Sequence, residues 1–167
     1  MPSNIEIKAG AADWDRQIAL ARALADKTEE LVQEDTFFNC TEGRLKLRVV
    51  GGGESYLIFY RRSDQKGPKS SVYYPSPVKD PKSMKVLLSA ALGCGKTVNK
   101  KRTLFLSGQT RIHFDEVEGL GRFIELEVCM KDGQASAEGE TLAKDLMRRL
   151  GIADKDLLEG AYADMLK

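Results

Sequence analysis

The chain has 167 residues, with 26 lysines and arginines against 25 aspartates and glutamates and a formal net charge of +1 at pH 7. That length is about one domain with room for a real core, and charges that nearly cancel argue against a general nucleic-acid or membrane-surface binder. Cys40, Cys94 and Cys129 have no paired spacing, no apolar run approaches a membrane span, and the N-terminus lacks the basic start and apolar middle of a secretion signal, so a reducing, cytoplasmic setting is expected.

Residues 4–8, Asn-Ile-Glu-Ile-Lys, alternate strictly and predict a strand. Residues 13–25 carry Trp14, Ile18, Ala21, Leu24 and Ala25 at helical spacing, which predicts an amphipathic helix. Residues 29–38 read as a strand that ends in the turn composition of 39–43. The clearest alternation follows, with Arg44, Lys46 and Arg48 on one face and Leu45, Leu47 and Val49 on the other. Gly51, Gly52 and Gly53 then form a hairpin turn and not a phosphate loop, because no helix start follows, and 56–62 reads as the returning strand. Lys69, Ser71 and Tyr73 share a face of a short strand that Pro75 and Pro77 are expected to end.

Asp80 followed by Pro81 starts a helix expected to run to about Leu92. Gly93 to Thr97 resembles the tail of a nucleotide-binding loop, but Ala90 stands where that loop needs glycine and the segment leaves a helix, so it reads as a helix C-cap. Residues 98–106 are strand-like with Lys100 and Arg102 on one face, 137–150 predict a helix stopped by Gly151, and 154–166 predict a last helix. With no linker or repeat, residues 1–167 read as a single domain.

The hairpin over 111–128 carries the chemistry. Arg111, His113 and Asp115 share one face of its first strand, with Ile112, Phe114 and Val117 on or near the other; Gly119 and Gly121 break the run. In its second strand Glu125 and Glu127 oppose Ile124, Leu126 and Val128. Two carboxylates at i and i+2 can hold a hard divalent cation, although a half-buried strand with a solvated acidic side has the same pattern. Seven or eight strands with few helices give an α+β, mainly antiparallel fold, one large sheet or barrel. If it closes, eight inward cations (Lys8, Lys46, Arg48, Arg62, Lys69, Lys100, Arg102, Arg111) face four acids (Glu6, Asp115, Glu125, Glu127). An excess of four cations suits a triphosphate, which carries roughly four negative charges, with Mg²⁺ or Mn²⁺ bridging its oxygens to the carboxylates.

The order and spacing of these segments resemble the CYTH, or triphosphate-tunnel, superfamily, nearest its class IV adenylyl cyclase branch; thiamine triphosphatase is a relative. The residues that carry the likeness are Asn4 to Lys8 for Glu-x-Glu-x-Lys, 43–48 and 57–62 for the central basic strands, 98–102 for Val-x-Lys-x-Arg, 111–128, Lys69-x-Ser71-x-Tyr73 and the ending 162–166. The resemblance implies a closed eight-stranded barrel with helices packed outside. It implies that Glu6, Glu125 and Glu127 hold the metal and that the eight cations grip phosphate oxygens. Lys8, Arg48, Arg111 and Asp115 would be the catalytic set, with Asp115 supporting a metal-bound water or orienting Arg111. His113 is read as a structural hydrogen-bonder in preference to a base. Asn4 replaces the family's first glutamate, which puts a second metal site in doubt and lowers the expected metal affinity. Hydrolysis of tripolyphosphate or of an organic or nucleoside triphosphate is the first expectation. Cyclisation of ATP to cyclic AMP and pyrophosphate is the second, and a non-catalytic polyphosphate-binding module, favoured by Asn4, is the third. The expected partner is a triphosphate small molecule, with no nucleic acid because the lumen is narrow, no membrane, and a homodimer by resemblance.

Overall fold

The computed structural model describes residues 2–167. Its strands are β1 (Ser3–Gly10), β2 (Lys27–Phe38), β3 (Arg44–Val50), β4 (Ser55–Arg62), β5 (Lys69–Pro77), β6 (Cys94–Ser107), β7 (Thr110–Val117), β8 (Gly121–Cys129) and the short β9 (Leu157–Leu158). The helices are α1 (Trp14–Leu24), α2 (Pro81–Leu92), α3 (Ser136–Arg149) and α4 (Tyr162–Met165), with a 3-10 turn at Asp154–Asp156. Neighbours run β5-β4-β3-β2-β6-β7-β8-β1, all antiparallel, and β1 also pairs with β5 over Ser3–Glu6, so eight strands close into a barrel. Closure removes the sheet edges that would otherwise invite pairing with another chain.

Alternation along the strands turns this barrel inside out relative to an ordinary globule: its interior is polar and its main core lies outside. Ile5, Ile7 and Ala9 of β1, Ile124, Leu126 and Val128 of β8, and Ile112 and Phe114 of β7 point outward and are buried beneath Ala21 of α1 and Ala143, Leu146, Met147 and Leu150 of α3. Each such side chain contributes about 1.5–3 kcal/mol on burial, so this one wall carries much of the fold's stability. Trp14 closes edge-on against Phe114 at 5.2 Å between ring centroids. Helix α3 approaches β1 so closely that a Cβ on Gly139 would stand 2.5 Å from Met130 Sδ and 2.7 Å from Ile5 Cγ1. Asp13 caps α1 through the N–H of Arg16, and Asp80 caps α2 through the N–H of Ser83. Helix α2 has no buried residue and leaves Val86 and Leu87 largely exposed, so the β3–β4–β5 wall is barely covered. No helix among the described residues is long and apolar enough to cross a membrane.

Three sequence expectations are corrected. Strand β5 continues through Pro75 and Pro77; β1 pairs with it only as far as Val72, so beyond that point one side is an edge and the missing N–H groups break no ladder. The helix expected over 154–166 is instead a 3-10 turn, the two-residue β9 and the four-residue α4, broken at Gly160 with φ 78°. Its carbonyls at Leu158 and Gly160 accept instead from the lumen cations Lys69, Lys8 and Arg62. Val117 lies not with Ile112 and Phe114 but in a second, smaller cluster with Val98, Phe123 and Tyr162.

Candidate functional site

The lumen holds a cavity of about 170 Å³ whose lining includes Asn4, Glu6, Lys8, Lys46, Arg48, Arg62, Lys100, Arg102, His113, Glu125 and Glu127. Strand register fixes who faces whom. Glu6 of β1 opposes Glu127 of β8, Lys8 opposes Glu125, and Glu125 in turn opposes His113 of β7. Across the barrel, Arg48 of β3 opposes Asp35 of β2, and Gln33 opposes Lys100 of β6.

Two aspartates are fully engaged. Asp35 is 2% exposed; it accepts two hydrogen bonds from Arg48 at 2.8 and 2.7 Å, one from Lys100 at 3.0 Å and one from Lys46 at 3.3 Å. Burial alone would raise its carboxyl, but Arg48, Lys100 and Lys46 hold it well below the usual carboxylate range. Asp115 accepts Arg102 Nε and Nη2 at 2.7 and 2.8 Å and the Tyr162 hydroxyl at 2.8 Å. Burial again opposes its ionisation, and Arg102 overcomes it, bringing Asp115 down to about 2.

The C-terminal segment closes one mouth. Gly160 O accepts Lys8 Nζ at 3.0 Å and Arg62 Nη2 at 2.8 Å, Leu158 O accepts Lys69 Nζ at 3.4 Å, and Leu166 O accepts Lys96 Nζ. Arg44 grips Asp164 with both terminal nitrogens, and the Tyr162 ring lies 4.1 Å from Lys8 Nζ.

The three glutamates are held differently. Glu6 accepts from Arg62 at 2.8 Å. Glu125 has no hydrogen bond among the described residues; its oxygens stand 3.9 Å from Arg62 and 3.6 Å from Arg102, and the nearest cation to Glu127 is Arg111 at 3.6 Å. Glu125 nevertheless stays well below the usual range, because Lys8 and its other neighbours outweigh the penalty of burial. Burial and the facing Glu6 push Glu127 up to about 7. The cations are strained in the opposite sense. Burial, reinforced by neighbouring arginines, lowers Lys46 to about 8 and Lys100 to about 7. One carboxylate pushed up, Glu127, beside lysines pushed down describes a lumen short of both a cation and a polyanion.

No three His, Cys, Asp or Glu side chains among the described residues stand as a ready-made metal cluster. The donors nonetheless fit a divalent cation. Glu127 lacks a close partner, and Asn4 Oδ1 and both His113 ring nitrogens are buried without hydrogen bonds among the described residues. Glu6, Glu125 and Glu127 are the groups that would hold the ion, with Asn4 offering a neutral oxygen beside them.

Of the residues singled out from the sequence, Glu6, Lys8, Lys46, Arg48, Arg62, Lys100, Arg102, Glu125 and Glu127 meet on one cavity wall. Three lie off it. Arg111 has its side chain 40% exposed, with Nε 3.6 Å from Glu127. Lys69 Nζ donates to Gln65 O and Leu158 O. Asp115 is covered by Arg102 and Tyr162, and it orients Arg102, not Arg111. His113 is no structural hydrogen-bonder, since it has no hydrogen-bond partner among the described residues; burial and then Arg102 lower it to about 4, so it is neutral. The sequence reading missed Asp35, Gly160 and Tyr162. Asp35 was detectable as an acid at lumen parity with Gln33, but Glu30 and Glu34 make the outer face of β2 equally polar.

The CYTH domain family model matches residues 3–162. No curated protein matches the sequence. Among solved structures, PH1012 from Pyrococcus horikoshii OT3 is similar with a TM-score of 0.88 at 22% identity, covering 98% of this chain and 99% of that one. A candidate adenylate cyclase from Vibrio parahaemolyticus gives 0.78 at 19% identity over 97% and 96%. HpAC1 from Hippeastrum, a candidate adenylyl cyclase described with a dominant triphosphatase activity, gives 0.62 at 16% identity over 91% and 89%.

Proposed function

The chain belongs to the CYTH domain family, and on that premise we propose that residues 1–167 form one triphosphate tunnel domain, a metal-dependent enzyme that hydrolyses tripolyphosphate or an organic triphosphate. The observation that carries this reading is the opposed charge of one buried cavity: six cations (Lys8, Lys46, Arg48, Arg62, Lys100, Arg102) and three glutamates (Glu6, Glu125, Glu127) line it together. With Asp35 also on the cavity wall, six cations face four acids, an excess of two in place of the four inferred from the sequence, which is the sign and roughly the size that a triphosphate of about four negative charges carrying one divalent cation needs.

Phosphoryl transfer asks the protein for positioning and charge stabilisation more than for a covalent nucleophile. Glu6, Glu125 and Glu127 would hold a divalent cation, Mg²⁺ or Mn²⁺, which would supply charge neutralisation to the phosphate. Arg48 and Arg102, braced by Asp35 and Asp115, present the rest of their guanidinium forks to phosphate oxygens in fixed orientation. Lys46 and Lys100 act as point charges, and their lowered pKa values recover when an anion arrives. Lys8 and Arg62, tied to Gly160 O, grip phosphate at the closed end. Tyr162 and Ala161 line that end, so substrate enters from the opposite one, near Asn4.

Cyclisation of ATP is a second reading, favoured by the apolar strip of Ile58, Tyr73 and Pro75 in the cavity wall, which suits an organic half of the substrate. Incubating the protein with tripolyphosphate or ATP, each with Mg²⁺ or Mn²⁺, and resolving the products decides between them. Orthophosphate is expected. Cyclic AMP with pyrophosphate would reverse the order, and tight binding without product would leave a polyphosphate-binding module.

A further inference from the structure

His113 is 2% exposed and lines the cavity, yet neither Nδ1 nor Nε2 has a hydrogen-bond partner among the described residues. A buried imidazole ordinarily donates from one nitrogen and accepts at the other, and leaving both unmade is destabilising unless a ligand completes them. Strand register sets His113 of β7 directly opposite Glu125 of β8. Its Nδ1 lies 3.9 Å from Glu125 Oε2, too far for a hydrogen bond. An ion about 2.1 Å from each donor spans that gap, since two such bonds reach at most about 4.2 Å. Glu125 is available for this, because Arg102 spends Nε and Nη2 on Asp115 and stays 3.6 Å from Glu125.

One strand over, Asn4 is 2% exposed with Oδ1 unpartnered. Register sets it opposite Cys129, four residues along β8 from Glu125, so the donors nearest the ion between His113 and Glu125 do not include its amide. Hard Mg²⁺ is held best by charged oxygens and water, whereas an imidazole nitrogen favours first-row transition ions. Resting on the metal–triphosphate reading, we propose that His113 is a nitrogen ligand beside Glu125 to the divalent cation, and that it makes the site one for Mn²⁺ in preference to Mg²⁺.

The chain contains one histidine, so an imidazole signal from bound metal has one source. Pulsed electron paramagnetic resonance of the full chain loaded with Mn²⁺, without any phosphate compound, is expected to show imidazole ¹⁴N coupling. Calorimetric titration with MnCl₂ and MgCl₂ is expected to show Mn²⁺ tighter by about tenfold, with the ratio falling to roughly threefold or less in His113→Asn. Absence of ¹⁴N coupling in the loaded wild type overturns the assignment, as does failure to bind Mn²⁺ or an unchanged ratio in a folded His113→Asn protein. The wild-type spectrum stands without the variant, should that variant not fold. Coupling without turnover of any triphosphate would sink the proposed function and keep the ligand; turnover without coupling would do the reverse.

Discussion

Asp35 and Asp115, and Glu125 and Glu127, are all buried acids in the same lumen, yet they are held in opposite ways. Each aspartate accepts close, charge-assisted hydrogen bonds, from Arg48 at 2.7 Å and from Arg102 at 2.7 Å among others. Each glutamate has its nearest cation at 3.6 Å. A buried charge with its hydrogen bonds complete is part of the scaffold, because removing it strands its partners; one left incomplete is waiting for something the chain does not supply. The aspartates therefore hold the arginines in place, and the glutamates face the ligand.

That contrast is tested most severely by Asp35→Ala, which leaves Arg48, Lys46 and Lys100 facing one another unpaired. A loss of about 3–5 kcal/mol is expected, read as a large drop in denaturation midpoint. A drop under about 1 kcal/mol would show Asp35 to be dispensable to the scaffold.

Next in size is a pH dependence concealed in the wild type. His113, lowered to about 4 by burial and then Arg102, is neutral in the fold, while the unfolded group takes a proton near 6.5. Its stabilisation is complete above 6.5 and is lost as pH falls through about 4. Glu127, raised to about 7 by burial and Glu6, works the other way: its contribution is complete below 4.5 and is lost as pH rises through 7. Each limb is at most about 3 kcal/mol, and between pH 4.5 and 6.5 they oppose. In EDTA the wild type should be nearly flat over that window. Glu127→Gln should gain stability with rising pH, and His113→Asn should lose it. Parallel curves for the two variants would refute the assignment.

Glu125→Gln keeps the shape and removes the charge. Metal-dependent turnover should fall about 100-fold, equivalent to ~2.7 kcal/mol, with an unchanged circular dichroism spectrum. Full activity would remove Glu125 from the metal site.

Tyr162→Phe is the mildest change. It deletes one hydrogen bond to Asp115, which keeps both bonds from Arg102, so about 1 kcal/mol is expected in thermal unfolding. A loss of several kcal/mol would mean that the C-terminal segment, and not Arg102, keeps Asp115 charged.

The alternation of β1, β3, β7 and β8 made the barrel and most of its lumen legible, because a period of two assigns each side chain to a face before any partner is known. Polar residues on both faces of β2 hid Asp35, and a helix-like composition hid the closing segment, where Gly160 turns and Tyr162 plugs the mouth. Face alone could not separate the roles of Asp115 and Glu125, which share lumen parity on adjacent strands. The sequence by itself determined that cations and acids share an interior, since alternation is local. Only the tertiary structure decided which acids are already paired, that Arg111 is partly exposed, and that His113 has no hydrogen-bond partner among the described residues, because those facts depend on distances across the barrel between strands far apart in the chain.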